Sequence, residues 1–278
     1  MTPSHLADGV AVITGAASGI GLALAQRATR EGMTVVATDI DEVALEEAKR
    51  EIVGLGGRVH TRIVDVAEAA HLDALADDVY DRFGSVRLLF NNAGVAVMRP
   101  FLETSLQDWM WTLDVNLWGV VHGMRAFVPR MVQQQQRATV MNTASAAGLT
   151  SPSGLSPYNV TKQGVVALTE TVQRELQEDG VEHVRIAVLC PELIATQIHR
   201  SERNRPNKRA NESELENRAH LLEEPMQSAM KPYEVADLAF AALESDQIHI
   251  LTHPESTGAA LQTRVEAILS PGGEGVEN

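Results

Sequence analysis

Tyr158 and Lys162 stand four positions apart in a stretch of helical character, which puts both side chains on one helix face. A tyrosine with its ordinary pKa of about 10 is a poor base at neutral pH. An ammonium beside it favours the phenolate, so the pair makes a general acid/base for an alcohol proton. Ser145 lies 13 residues before Tyr158, just after a short apolar run, where its hydroxyl can hold a substrate oxygen beside the phenol. Asn116 falls inside a long helical stretch, a place that intrinsic propensity disfavours. A buried amide there can hold a water beside the lysine. Taken singly, each residue has a plain structural explanation as packing, solvated or turn residue. Their joint occurrence at strand ends favours chemistry.

A second constellation lies near the N-terminus. The run Thr14-Gly15-Ala16-Ala17-Ser18-Gly19-Ile20-Gly21 joins an apolar strand to a helix. Glycines suit a tight turn that must approach a pyrophosphate, and the helix start offers free N–H groups and the positive end of a dipole. A glycine triplet alone is a weak signal; its place between strand and helix confirms it. Asp39 ends the next strand, where an acid accepts the ribose hydroxyls of an adenosine half and repels a 2′-phosphate. No Lys or Arg lies in the glycine loop, so NAD is expected rather than NADP. Asp41 fits a helix N-cap better than Asp39 does. Asp65-Val66 and Asn91-Asn92-Ala93-Gly94 close the third and fourth strands, with small residues at Ala93 and Gly94 that permit close backbone approach. Asp65 suits a helix cap equally well.

These residues require a particular frame. Apolar runs at Val10–Thr14, Thr34–Asp39, Arg58–Val64, Leu88–Asn91, Thr139–Thr143 and Arg185–Leu189, with a weaker one at Ile248–Leu251, read as buried strands. Helical stretches alternate with them at Gly19–Glu31, Glu42–Leu55, Glu68–Phe83, Leu106–Gln135 and Pro157–Glu178, and a further one follows at Ser256–Leu269. Strand–helix alternation predicts right-handed crossovers and an α/β doubly wound parallel sheet of about seven strands. Ligands then bind at the carboxyl ends of the strands. The 278 residues are read as one domain: a core over 1–195, a lid over 196–231, and a C-terminal helix, strand and tail over 232–278. The stretch His199–Lys231 is polar and charged, and Pro271–Asn278 reads as a frayed tail.

Net charge of −14 argues against a nucleic-acid or anionic-membrane partner. The single cysteine, Cys190, precludes an intrachain disulfide, and Met1–Asp8 lacks an apolar signal core, so a cytoplasmic protein is expected. No apolar run approaches the ~20 residues needed to span a bilayer. No metal is expected.

Over Gly9 to Thr196 the sequence resembles the short-chain dehydrogenases/reductases, a family with a Rossmann-type fold. The resemblance rests on Thr14–Gly21, Asp39, Asp65-Val66, Asn91–Gly94, Asn116, Ser145 and Tyr158-Asn159-Val160-Thr161-Lys162. It implies hydride transfer between NAD and a secondary alcohol or ketone. Tyr158 is then the proton donor or acceptor, and Ser145 positions the carbonyl. Lys162 binds the nicotinamide ribose and tunes Tyr158, and Asn116 anchors a relay water. Asn92, Asp65 and Val66 line the adenosine half, while Ile194 and Thr196, after Pro191, contact the carboxamide region. A bacterial subgroup resembled at Val115–Met124 and Ser201–Pro206 acts on terpenoid and aryl alcohols, which implies a bulky small-molecule substrate. The resemblance also implies a homodimer or homotetramer.

Two departures stand out. Glu192 replaces the glycine that usually follows Pro191, and either narrows or polarises the pocket or points away from it. The family's last-strand Asp-Gly-Gly run is absent, which favours a dimer through the long helices Leu106–Gln135 and Pro157–Glu178. The lid begins with Arg200, Arg203, Arg205, Lys208 and Arg209, either a solvated charged face or a grip on a substrate carboxylate. A catalytically silent NAD-binding protein predicts a broken Tyr/Lys pair, whereas the pair is intact. An isomerase or lyase needs a larger C-terminal domain than the about 80 residues after Thr196 provide.

Overall fold

The computed structural model describes residues 6–205 and 228–270. Seven parallel strands form one sheet in the order β3-β2-β1-β4-β5-β6-β7. They are β1 (Val10–Thr14), β2 (Thr34–Asp39), β3 (Arg58–Ile63), β4 (Leu88–Asn91), β5 (Ala138–Thr143), β6 (Val184–Cys190) and β7 (His249–Leu251). The order reverses between β1 and β4, the switch point at which open α/β sheets bind ligands. No described helix is long and apolar enough to cross a membrane.

The helices are α1 (Gly19–Arg30), α2 (Glu42–Gly54), α3 (Ala69–Phe83), α4 (Leu106–Leu113), α5 (Gly119–Gln133), α6 (Ala147–Thr150), α7 (Ser156–Glu178), α8 (Pro232–Ala241) and α9 (Pro254–Leu269). Alternate residues of β1 feed opposite cores. Val10 and Val12 join Leu72 and Val79 of α3, Phe127 of α5 and Val165 of α7. Ala11 and Ile13 join Leu24 of α1, Ile52 of α2 and Phe240 of α8. Covering both faces explains why the central strands are apolar throughout. Boundaries follow local chemistry: the Asp41 side chain accepts from the Ala44 N–H to cap α2, and left-handed Gly84 ends α3.

Two expectations need correction. Arg58–Val64 was grouped with the buried strands, yet β3 is the sheet edge and its residues are exposed or half-buried. An edge strand needs no second buried face, so its polar residues are accommodated. Leu106–Gln135 is not one α-helix: a π turn, Asp114–Trp118, separates α4 from α5. The tail Pro271–Asn278 and the lid residues 206–227, with Lys208 and Arg209, lie outside the described residues.

Candidate active site

The strand ends at the switch point open into a cavity of about 1140 Å³. That exceeds the roughly 300–1,000 Å³ of pockets for single drug-sized ligands, leaving room for a dinucleotide and a second molecule. Gly15, Ser18, Gly19, Ile20, Asp39, Asp65, Val66, Asn92, Ala93, Gly94, Ser145, Tyr158, Lys162, Pro191, Ile194 and Thr196 all line it. Two sequence-predicted residues, Gly21 and Asn116, do not.

Gly21 acts from beneath the surface. A Cβ there would fall 2.0 Å from the Gly15 carbonyl oxygen, so α1 can start this close to β1 only with glycine. Gly15 has φ +65°, and a Cβ on it would meet the Ala93 Cα at 2.8 Å. The cradle is therefore bare backbone at the N-terminus of α1. Ser18 occupies the N-cap position without a side-chain cap bond. This bare helix start fits a pyrophosphate.

The loop is held by three polar side chains. The Thr14 hydroxyl accepts from the N–H groups of Asn92 (2.9 Å) and Ala93 (3.1 Å). The Asn92 amide donates to the Thr14 carbonyl at 3.1 Å and accepts from the Thr143 hydroxyl at 3.3 Å. Sequence reasoning missed Thr14 and Thr143 as organisers. Their signal was a hydroxyl at the carboxyl end of an otherwise apolar strand.

Asp39 faces the cavity while its two oxygens accept from the N–H groups of Ala17 (3.0 Å) and Asp41 (3.1 Å). Burial holds its pKa above the usual carboxylate value, and the backbone hydrogen bonds oppose that rise. Each oxygen keeps a further lone pair for a ligand hydroxyl. Asp65 accepts from the Ala67 N–H at 3.0 Å in a local turn, while Glu68 holds the N-cap position of α3. The plain helix-cap reading of Asp65 therefore fails.

Tyr158 and Lys162 share the inner face of α7, with Lys162 Nζ 5.5 Å from the Tyr158 ring centroid. The ammonium donates to the Thr143 carbonyl at 2.8 Å. Burial lowers Lys162 to about 8. Burial also pushes the Tyr158 phenol up, and a hydrogen bond with Ser145 partly offsets it. In the chain alone, desolvation thus outweighs the expected pull of the Lys162 ammonium on Tyr158. Ser145 donates to the Pro191 carbonyl at 3.2 Å, which ties the β5 end to the loop after β6.

Asn116 sits in the π turn, fully buried one layer behind the cavity. Its amide oxygen accepts from the Val95 N–H and its amide nitrogen donates to the Val95 carbonyl, both at 2.8 Å. The nitrogen also reaches the Thr161 hydroxyl at 3.3 Å. The side chain thus fixes the Val95 backbone and ties it to Thr161 of α7. A Cβ on Gly94 would lie 3.4 Å from Asn116 Oδ1 and 3.6 Å from Lys162 Nζ, so the three are neighbours.

The substrate end shows a second cluster. Arg205, expected to be solvated or to face a substrate, is buried and donates to Asp108 (2.8 Å) and Glu202. Its guanidinium lies 4.1 Å from the Trp111 ring centroid, and Trp111 lines the cavity. Asp108 also completes a capping box with Ser105 at the start of α4. The Ser-x-x-Asp spacing carried that signal in the sequence. Glu192 lines the cavity, but its carboxylate accepts from Ser256 (2.6 Å) and Thr257 (3.2 Å) in the first turn of α9.

A glycine cradle at the switch point, an acid beside it and a Tyr/Lys pair across the cavity define a dinucleotide-dependent oxidoreductase site. The short-chain dehydrogenase model matches residues 9–207, and the chain belongs to that family. It is 33% identical over 272 residues to a CLA biosynthesis dehydrogenase/reductase of Lactiplantibacillus plantarum, covering 95% of this chain and 94% of the relative. It is 32% identical over 254 residues to a 1-deoxy-11-beta-hydroxypentalenate dehydrogenase of Streptomyces avermitilis, covering 91% and 87%. A short-chain dehydrogenase/reductase from Burkholderia phymatum, solved in complex with NAD, superposes with a TM-score of 0.90 at 36% identity over 100% of both chains.

Proposed function

We propose that this chain transfers hydride between NAD and a bulky secondary alcohol or its ketone, with cyclic, terpenoid or aryl substrates as the class to test. The observation that carries the reading is the meeting of Ser145, Tyr158 and Lys162 in the same cavity as a bare glycine cradle. When bound, the oxidised nicotinamide supplies the hydride acceptor and a positive charge. Tyr158 takes the hydroxyl proton as the carbinol hydrogen departs, and returns it in reduction. The Ser145 hydroxyl holds the substrate oxygen at the phenol. Lys162 spends one of its three N–H donors on Thr143, which leaves two for ribose hydroxyls. Asn116, a neighbour of Gly94 and Lys162, is assigned as the anchor of a relay water.

Asp39 supports NAD over NADP, since a 2′-phosphate would meet a half-buried carboxylate that already organises the glycine loop. Residues 196–231 are assigned as substrate lid, and a cytoplasmic homodimer or homotetramer is the proposed form. The test follows NADH formation over a panel of bulky alicyclic, aryl and carboxylated secondary alcohols, with NAD and NADP compared. Turnover with kcat/KM at least about tenfold higher for NAD, the size of one lost charge-assisted contact, is expected. Tight NAD binding with no alcohol oxidised or ketone reduced would instead make the chain a dinucleotide-binding regulatory protein.

A further inference from the structure

Glu192 stands where the family pattern has glycine, and its contacts give it a task. Its carboxylate reaches across to α9, accepting from the hydroxyls of Ser256 and Thr257. Its N–H donates to the Thr252 hydroxyl at 3.0 Å, and that hydroxyl also bonds His253 Nδ1 at 2.8 Å. His253, the N-cap residue of α9, makes no side-chain cap bond of its own. The first turn of α9 is therefore tied from outside through two of its side-chain hydroxyls, by an anion near the positive end of the helix dipole.

The helix so held is part of the cavity. Ser256, Thr257 and Ala260 line it, and their spacing puts them on one face. Farther along, Arg264 donates to the Leu149 carbonyl at 2.7 Å and to the Gln163 side chain at 3.2 Å. These bonds fasten the middle of α9 to α6 and to α7, the helix that carries Tyr158 and Lys162. Apart from Thr257, no residue of α9 is buried, so apolar packing holds it weakly. Polar fastenings at its first turn and its middle must supply much of its position.

We infer that Glu192 is a positioning residue: it latches α9 against the Pro191 bridge, and α9 so placed is the wall that sets substrate fit. The inference rests on the proposed oxidoreductase reading for its substrate half only. Glycine at this position would remove both side-chain bonds that tie the first turn of α9.

Two measurements on the full chain test it. The first is amide hydrogen exchange in wild type, Glu192→Ala and Glu192→Gln. The alanine variant is expected to exchange about tenfold faster over 254–260, the scale of a lost charge-assisted hydrogen bond. Exchange in α1 should stay unchanged, and Gln, which keeps an acceptor oxygen but not the charge, should recover part of the protection. Equal protection in all three proteins, or loss spread evenly over the fold, overturns the latch. This readout needs no turnover, so it stands apart from any failure of the oxidoreductase reading. The second is steady-state kinetics. Glu192→Ala should raise alcohol KM by about tenfold while NAD KM moves less than about twofold. Ala260→Phe, which leaves the latch intact, should shift preference toward smaller alcohols. Parallel rises in both KM values, or an unchanged size preference, overturn the wall. A wild type inactive on every alcohol removes the substrate half and leaves the exchange result to decide the latch.

Discussion

At the cofactor end of the cavity, neutral groups a few residues apart from the strand ends do the joining: Thr14, Asn92 and Thr143 hydrogen-bond to backbone and to one another. At the substrate end, charged side chains reach across loops: Arg205 to Asp108, and Glu192 to Ser256. The first arrangement leaves no volume for change, because a Cβ at Gly15 or Gly21 would strike backbone. The second joins elements far apart in the chain, each by a few strong contacts. The contrast is between short neutral bonds around an already filled backbone and charged bonds that span distant elements.

The comparison breaks most sharply at the Tyr158 phenol. Tyr158→Phe should lower kcat by about a thousandfold or more, the range of a lost general acid/base, while NAD affinity measured by calorimetry stays within about twofold. Retention of most activity would remove Tyr158 from the chemistry.

Next in size is the buried cluster of Arg205 and Asp108. Asp108→Ala strips a fully buried carboxylate from Arg205 and from the α4 cap, and should cost about 3–4 kcal/mol in chemical denaturation. A loss below about 1 kcal/mol, the ceiling for surface pairs, would show the cluster to be effectively solvated.

Lys162 gives a pH test of the cofactor end. Its folded value of about 8 lies below its ordinary 10.5. The unfolded chain therefore binds more protons between those values. The cost of burying the cation is fully present below about pH 8 and fades as pH rises toward 10.5. Lys162→Met should be more stable than wild type at pH 7, by roughly 2–3 kcal/mol, and that advantage should shrink by pH 10. A pH-independent difference would mean that Lys162 stays charged throughout.

The smallest effect is expected at Asp39. Asp39→Ser should lower the NAD-to-NADP ratio of kcat/KM by about tenfold, the scale of one charge-assisted contact. An unchanged ratio would place cofactor choice elsewhere.

Much of this was legible along the chain because it depends on local spacing. Strand–helix alternation gave the sheet, and observed boundaries fall within a residue or two of most expected ones. The glycine loop, Asp39 and the Tyr158/Lys162 pair each declare themselves within short windows. Asn116 was located, but its partner Val95 was not, because the two lie 21 residues apart and local spacing does not mark which loop a helical side chain will meet. Arg205 read as solvated because a charge in a polar segment carries no mark of the carboxylate it will meet.

Sequence alone therefore determined the class of sheet, the glycine cradle and the candidate Tyr158/Lys162 pair, all set by short-range periodicity and residue type. Tertiary structure alone decided which carboxylates are partnered: Asp108 by Arg205, and Glu192 by the first turn of α9. It also decided that burial raises Tyr158 and lowers Lys162. The reason is physical: desolvation and long-range ion pairing depend on what surrounds a group in space, and neighbours in space are not neighbours in sequence.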